Sequence, residues 1–311
     1  MVAIDQLSSE VASIREASRA LVRELGFLLP SSDATSGLSH VECHALIEIE
    51  RHGEIDQSTL CTLLRLDKST VSRAVKVLVG QRLVRQGSSA TDGRCRKLAV
   101  APLGKQKLDK VHAMATNRVS AALAFVPPAE RDSIHRGLSL YAMALHRAKL
   151  RGDTHIRSLK ASDDRGIETL IRTVMPEFDA SGPGFAIHDP EVSQMSQSYA
   201  GGRAQYFVVE NNNRIVGGGG FAPLAGGPDD ICELRKMYFL QEVRGLGLGE
   251  VLLDQLLSHA KEAGFSRCYL ETLATMTGAR RLYEKKDFHA VERPLGKTGH
   301  FGCDRWYARD L

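Results

Sequence analysis

The chain has 311 residues, about twice the length of a usual domain, and 43% of them are apolar, so two hydrophobic cores are expected. No run approaches 18 consecutive apolar residues, and Asp5, Glu10, Arg15, Glu16 and Arg19 punctuate a helical pattern at the start. Neither a bilayer span nor a secretory leader is therefore expected, and the reading is a cytoplasmic protein with no membrane partner. The net charge of +4 conceals an asymmetry: residues 1–152 carry 22 Lys plus Arg against 15 Asp plus Glu, whereas the remaining 159 carry 19 against 22. The first half is suited to a polyanion and the second is not. Six cysteines without Cys-x-x-Cys spacing fit reduced thiols, with no disulfide framework and no metal site.

The periodicity predicts a long helix over 4–29, with Leu7, Val11, Ile14, Ala17, Leu21, Leu25 and Leu28 on one face, ended by Pro30 and the polar stretch to Gly37. Such a stripe needs a partner surface. Ser39 and Glu42 have capping-box spacing, so a second helix starts there and runs to about His52, where Gly53 stops it. A short helix over 57–64, a turn at Leu66-Asp67-Lys68 and a helix from Ser69 or Thr70 to Val79 give helix, tight turn, helix, whose second member can enter the major groove of DNA. Val71, Val75 and Leu78 mark its buried stripe. Ser69, Thr70, Ser72, Arg73 and Lys76 are left to meet DNA, with Arg73 either reading a base edge or clamping a phosphate.

Strands over 83–85 and 96–100 flank a polar turn containing Asp92-Gly93-Arg94. Together they make a wing, with Arg94 and Lys97 as contacts to a minor groove or its phosphates. Cys95 is either an oxidisable switch on that contact or an inert thiol at a strand edge. Helices over about 103–125 and 129–150 follow, the first begun by Pro102. In the order of these elements and in the wing, residues 5–150 resemble the MarR family of winged-helix regulators. The resemblance implies a mainly-α winged helix-turn-helix domain over 1–150, a homodimer through its N- and C-terminal helices, and a palindromic operator in double-stranded DNA. Where relatives place Thr before a glycine, this chain has Pro102-Leu103-Gly104, read as helix initiation.

Arg151-Gly152-Asp153 breaks the last helix. Beyond it the pattern predicts a strand over 155–159, a helix over 163–178, an irregular stretch to Pro190, a helix over 191–199, and strands over 204–210 and 215–221 joined by Asn211-Asn212-Asn213. Strands over 231–239 and 267–272, a helix over 277–286 and strands around 290–295 and 305–310 complete an α+β domain over 154–311 with a central mixed sheet. The run from Gly217 to Gly220 marks either a close backbone approach by a ligand or a bulge.

After the 231–239 strand comes Val243-Arg244-Gly245-Leu246-Gly247-Leu248-Gly249, running into a helix. A tight glycine turn feeding a helix leaves N–H groups unpaired, with the helix's positive end behind them, which is a receptor for phosphate or pyrophosphate. No Lys-Ser or Lys-Thr follows where a nucleoside-triphosphate loop requires one. A dinucleotide fold is the runner-up, since Glu271 falls 22 residues after Gly249, but four strands precede this unit and too little chain follows for a doubly wound sheet.

Arg244-Gly245-Leu246-Gly247-Leu248-Gly249 has the form Gln/Arg-x-x-Gly-x-Gly/Ala, and Leu282-Tyr283-Glu284-Lys285-Lys286-Asp287-Phe288 sets a tyrosine in a late helix before a phenylalanine-containing turn. With these motifs bracketing a strand, the segment from about His155 to the end resembles the GNAT family of acyl-CoA-dependent N-acetyltransferases. The resemblance implies acetyl-CoA, with its pyrophosphate on the N–H groups of Arg244, Gly245, Leu246, Gly247, Leu248 and Gly249, and its acyl oxygen and pantetheine arm along Leu234, Lys236, Met237 and Tyr238. Tyr283 is then placed to protonate the coenzyme A sulfur. Glu233 becomes the general base, directly or through water, and Glu271 the alternative base or the holder of the substrate ammonium. His300, before the last strand, either lines the acceptor pocket or sits on the surface. Relatives carry glycine where Asp287 stands, at a left-handed position, and asparagine in the stretch that is here Thr275-Met276-Thr277. The acceptor implied is a primary amine, on a small molecule or on a protein lysine. The other functional reading is a regulator whose second domain senses acyl-CoA without turnover.

Overall fold

The computed structural model describes residues 2–28, 37–88 and 96–311, in two compact units that divide between Asp132 and Ser133. The first contains α1 (Val2–Glu24), α2 (His40–His52), β1 (Ile55–Asp56), α3 (Gln57–Leu64), α4 (Lys68–Gly80), β2 (Val84–Ser88), β3 (Arg96–Val100), α5 (Pro102–Leu123) and the start of α6 (Pro128–Gly152). Among the described residues no helix is long and apolar enough to cross a membrane.

Side-chain caps set the helix starts of the first unit. Ser39 Oγ accepts from the Glu42 N–H at 3.3 Å while Glu42 Oε2 accepts from the Ser39 N–H at 2.9 Å, and Gly53 ends α2 with φ +76°. Asp56 accepts from the Thr59 N–H at 2.8 Å, and Asp67 from the Thr70 N–H at 2.9 Å. The Asp67 cap starts α4 at Lys68, slightly earlier than periodicity alone predicts, and a left-handed Arg65 turns the chain between α3 and α4. Leu46, Ile49, Leu60, Val71, Val75 and Leu78 pack on Leu98 as one core. The small sheet has order β1-β3-β2. Its β1, which pairs Ile55 with Leu98 and Asp56 with Lys97, is too short to show an alternation in sequence. Gly104 does more than help begin α5: a Cβ there would stand 2.1 Å from the Leu83 carbonyl oxygen, so only glycine lets the helix approach so closely. Asp92, Gly93, Arg94 and Cys95 lie outside the described residues.

The second unit takes α6 from Ser133 and continues through β4 (Thr154–Ser158), α7 (Asp164–Val174), the one-turn α8 (Met195–Ser198), β5 (Gln205–Asn211) and β6 (Arg214–Pro223). It ends with β7 (Ile231–Phe239), α9 (Leu248–Glu262), β8 (Arg267–Thr272), α10 (Thr277–Lys285), β9 (His289–Ala290) and β10 (Arg305–Asp310). The seven-stranded sheet has order β4-β5-β6-β7-β8-β10-β9, antiparallel except for β7 with β8. Alternation along β5 sends Phe207 and Val209 to the leucines of α9, and Tyr206 and Val208 to Ile167, Ile171 and Met195. Three elements are shorter than the pattern suggests. The 163–178 helix becomes 3₁₀ after Val174, at Pro176; the 191–199 helix breaks into a 3₁₀ turn and α8; and the 290–295 strand is reduced to β9.

The unit division falls inside α6, ahead of the 150–154 boundary suggested by the glycine break. Leu150 packs on the core of the second unit, and its carbonyl accepts from Asn211 Nδ2 at 3.2 Å. The four glycines of β6 mark a bulge. Pairing slips between Gly218 and Gly220, setting Lys236 and Met237 opposite Gly219, and Lys236 takes φ +50°. They also admit close neighbours, since a Cβ on Gly218 would lie 2.8 Å from the Tyr206 ring and one on Gly220 2.6 Å from the Gln205 carbonyl oxygen. None of the four lines a cavity of the candidate site.

Candidate functional site

The parallel strands β7 and β8 pair only from Ile231–Arg267 to Leu234–Leu270. Beyond Leu234 no further pair is made, and two adjoining cavities lie along the end of β7, the smaller one between β7 and β8. A cleft of about 370 Å³ is lined by Met237, Phe239, Arg244, Gly245, Gly249 and residues 276–279 and 282–283 among others. A smaller cavity of about 60 Å³ is lined by Glu233, Arg235, Lys236, Glu271, His300 and Cys303 among others. Met237, Tyr238, Met276, Ala279 and Tyr283 line both, so the cavities meet at Tyr238 and Tyr283.

At the cleft's phosphate end, Gly245 and Gly247 have φ +71° and +78°, which side-chain-bearing residues rarely adopt. Gly247 precedes α9 without a side-chain cap, leaving the first-turn amides to a ligand. Leu246 and Leu248 turn their side chains into the core, so they offer only backbone. Arg244 Nε donates to the Phe239 carbonyl at 2.8 Å, Nη1 donates to Glu177 Oε2 at 2.7 Å, and the guanidinium carbon stands 5.3 Å from the Phe178 ring centroid. Its Nη2 is buried and has no partner. An orphaned buried cationic donor beside an uncapped helix start fits the phosphates of coenzyme A.

Tyr283 is buried, with its ring centroid 5.8 Å from that of Phe288 and 6.4 Å from that of Tyr307. Burial raises its phenol well above the ordinary tyrosine range, which keeps the proton on at neutral pH. The turn after α10 has the left-handed conformation that glycine gives relatives, here supplied by Asp287 at φ +59°. It closes with the Phe288 N–H donating to the Tyr283 carbonyl at 3.0 Å.

In the small cavity Glu233 is 3% exposed, with Arg235 Nε at 3.5 Å and His300 Nδ1 at 3.7 Å. Glu271 accepts from Tyr269 Oη at 2.8 Å and Thr298 Oγ1 at 2.9 Å. Burial raises its pKa, and Glu233 adds to the shift. His300 is a cavity residue, and the surface alternative is excluded: Nε2 lies 3.0 Å from Asp189, and hydrogen bonds to Asp189 and Glu233 raise its pKa to about 9. Lys236 does not face the cleft. Its Nζ lies 2.5 Å from Asp189 and also pairs with Glu191, while its carbonyl accepts from Tyr206 Oη at 3.0 Å. Leu234 likewise lines the small cavity alone, whereas Met237 and Tyr238 line both. Sequence reasoning passed over Asp189, Glu191 and Arg235. Asp189 stands in the irregular stretch and Glu191 at the start of the expected 191–199 helix, where neither is marked by periodicity, though Asp189-Pro190-Glu191 brings two acids together.

In the first unit Ser72, Arg73 and Lys76 are exposed on the face of α4 opposite Val71, Ala74, Val75 and Leu78. Ser69 Oγ and Thr70 Oγ1 donate to Asp67 at 2.5 and 2.7 Å, holding its carboxyl well below the usual range, so these hydroxyls serve the cap. Arg73 Nη2 donates to Thr70 Oγ1 at 3.3 Å, and Lys97 Nζ lies 3.5 Å from Asp56.

Residues 36–94 match the MarR family, and residues 171–288 match the acetyltransferase (GNAT) family. The chain is 41% identical over 157 residues to the uncharacterized N-acetyltransferase YjgM of Escherichia coli K12, covering 50% of this chain and 94% of that protein. An uncharacterized N-acetyltransferase of Schizosaccharomyces pombe is 37% identical over 67 residues, 22% of this chain and 40% of its own length. A solved acetyltransferase of the GNAT family from Staphylococcus aureus Mu50 superposes with a TM-score of 0.47 at 23% identity, over 51% of this chain and 99% of that one. The chain therefore belongs to the GNAT family, as an acetyl-CoA-dependent acetyltransferase whose catalytic unit follows a DNA-binding winged-helix domain of the MarR family.

Proposed function

We propose that the second unit acetylates a primary amine on a small molecule, and that the first unit, as a homodimer, binds a palindromic operator in double-stranded DNA. The observation that carries the reading is the meeting of an acid-lined cavity with the phosphate-end cleft at Tyr283. When bound, acetyl-CoA supplies an activated thioester. Arg244 Nη2 and the amides of residues 244–249 hold its phosphates, while the bulge at Lys236 and Met237 interrupts the strand ladder and frees backbone near Tyr238 to polarise the acyl oxygen.

Glu233 and Glu271 hold the incoming ammonium group. Glu233 then takes the proton, directly or through water, and Glu271, with its raised pKa, is the alternative base. Tyr283 keeps a phenolic proton at the junction, where a departing thiolate needs one. A cavity of about 60 Å³ admits the slim end of an aliphatic amine.

A thiol-release screen with acetyl-CoA across amino acids, polyamines, arylamines and lysine peptides tests this reading. Free coenzyme A is expected with narrow aliphatic amines and not with bulky aryl ones. Because Lys236 and His300 already partner the nearby acids, the second reading is an acyl-CoA sensor without turnover. Coenzyme binding that changes operator affinity while no amine supports release would establish it instead.

A further inference from the structure

Arg147 and Arg151 lie on α6 in the second unit, four residues apart and hence on one helix face. Arg147 Nη2 donates to the Gly245 carbonyl at 2.5 Å, and Arg151 Nη1 donates to the Leu246 carbonyl. Both press where side chains of the loop would be: a Cβ on Gly245 would stand 3.0 Å from Arg147 Nη2, and one on Gly247 2.9 Å from Arg151 Nη1. In a trans peptide the C=O and the following N–H point in opposite directions. Two carbonyls held toward α6 therefore aim the amides of Leu246 and Gly247 away from it. The end of α6 is itself fixed, with the Leu150 carbonyl accepting from Thr154 Oγ1 at 2.5 Å and Asn211 Nδ2 at 3.2 Å. Both arginines lie outside the 171–288 match and outside the glycine motif.

We propose that Arg147 and Arg151 are positioning residues for the coenzyme's phosphates. They clamp two loop carbonyls so that the amides of Leu246 and Gly247 stand ready for the pyrophosphate, and their charges strengthen the attraction there. This rests on the reading of residues 244–249 as the phosphate loop. A cation on a carbonyl also polarises its peptide, making the N–H on the far side a better donor. The helix is thereby part of the cofactor site, and whatever displaces α6 loosens the loop.

Calorimetric titration of the full-length protein with coenzyme A, and separately with pantetheine, which has no pyrophosphate, tests the clamp in Arg147→Ala, Arg151→Ala, the double variant and Arg151→Lys. Each alanine is expected to raise the coenzyme A Kd about tenfold, the scale of one charged hydrogen bond, with the pantetheine Kd within about twofold. The KM for acetyl-CoA rises while kcat holds, and Arg151→Lys recovers part of the loss. The proposal is overturned if the double variant binds coenzyme A as tightly as the parent, or if both ligands weaken equally, as a general loss of structure would give. A parent protein that binds coenzyme A no better than pantetheine overturns the phosphate-loop reading itself, and the clamp with it.

Discussion

His300 joins the acids of the small cavity, contacting Asp189 on one side and Glu233 and Glu271 on the other. In an unfolded chain a histidine titrates near 6.5; here the pKa is about 9. The folded state binds this proton more tightly, so the stabilisation is full below about pH 6.5 and is lost as pH rises through about 9. Thermal unfolding of the parent should weaken over that window relative to His300→Asn, which lacks the titrating group; parallel curves would refute the shift. Asp189, lowered to about 2 with His300 and Lys236 as partners, acts in the opposite sense. Its contribution is present above the ordinary carboxylate range and is lost as pH falls through about 2. The placing of Tyr283 and Arg244 on one cleft was legible in sequence because each belongs to a short local motif. The direction of the Lys236 side chain was not legible, because one extra residue in β7 turns it to Asp189 and Glu191, and alternation carries no sign of a single bulge.

Elements with a local start signal could be read closely: the capping box opens α2, and the boundaries of α3, β3, β8 and β10 coincide with the sequence reading. Where the signal depends on tertiary neighbours it failed. The 191–199 stretch carries helical composition but forms a 3₁₀ turn and one turn of α-helix, and β1 exists only because β3 offers it a partner. The cost of ignoring such contacts is largest at Gly104, where a methyl group meets the Leu83 carbonyl. Gly104→Ala should destabilise the first unit by about 1–3 kcal/mol, the usual scale of overpacking. Calorimetry resolving two transitions should show one lowered and the other unchanged; an unshifted pair of transitions would contradict the close approach.

At the scale of the molecule, two units and a mixed sheet followed from length, charge asymmetry and two motifs, whereas the acceptor depends on side chains gathered from four separate stretches of chain. Apolar residues remain exposed on α1, where Leu7, Val11, Ile14 and Leu21 are 41–61% accessible, and, within the second unit, Leu138 and Leu145 on one face of α6 are about half exposed. We propose the α1 stripe, taken by itself, as an association surface, with a second copy as the partner the winged-helix reading calls for. Light scattering should give a dimer for the parent and a monomer for the paired change Val11→Glu with Ile14→Glu; a monomeric parent would remove the dimer. The central claim is that acetyl transfer runs where the two cavities meet, with Tyr283 holding the proton for the sulfur. Its most direct measurement is kcat for Tyr283→Phe alongside the coenzyme A Kd. The account predicts a fall in kcat of about 10²-fold or more with Kd within about twofold; a kcat equal to the parent's would contradict it.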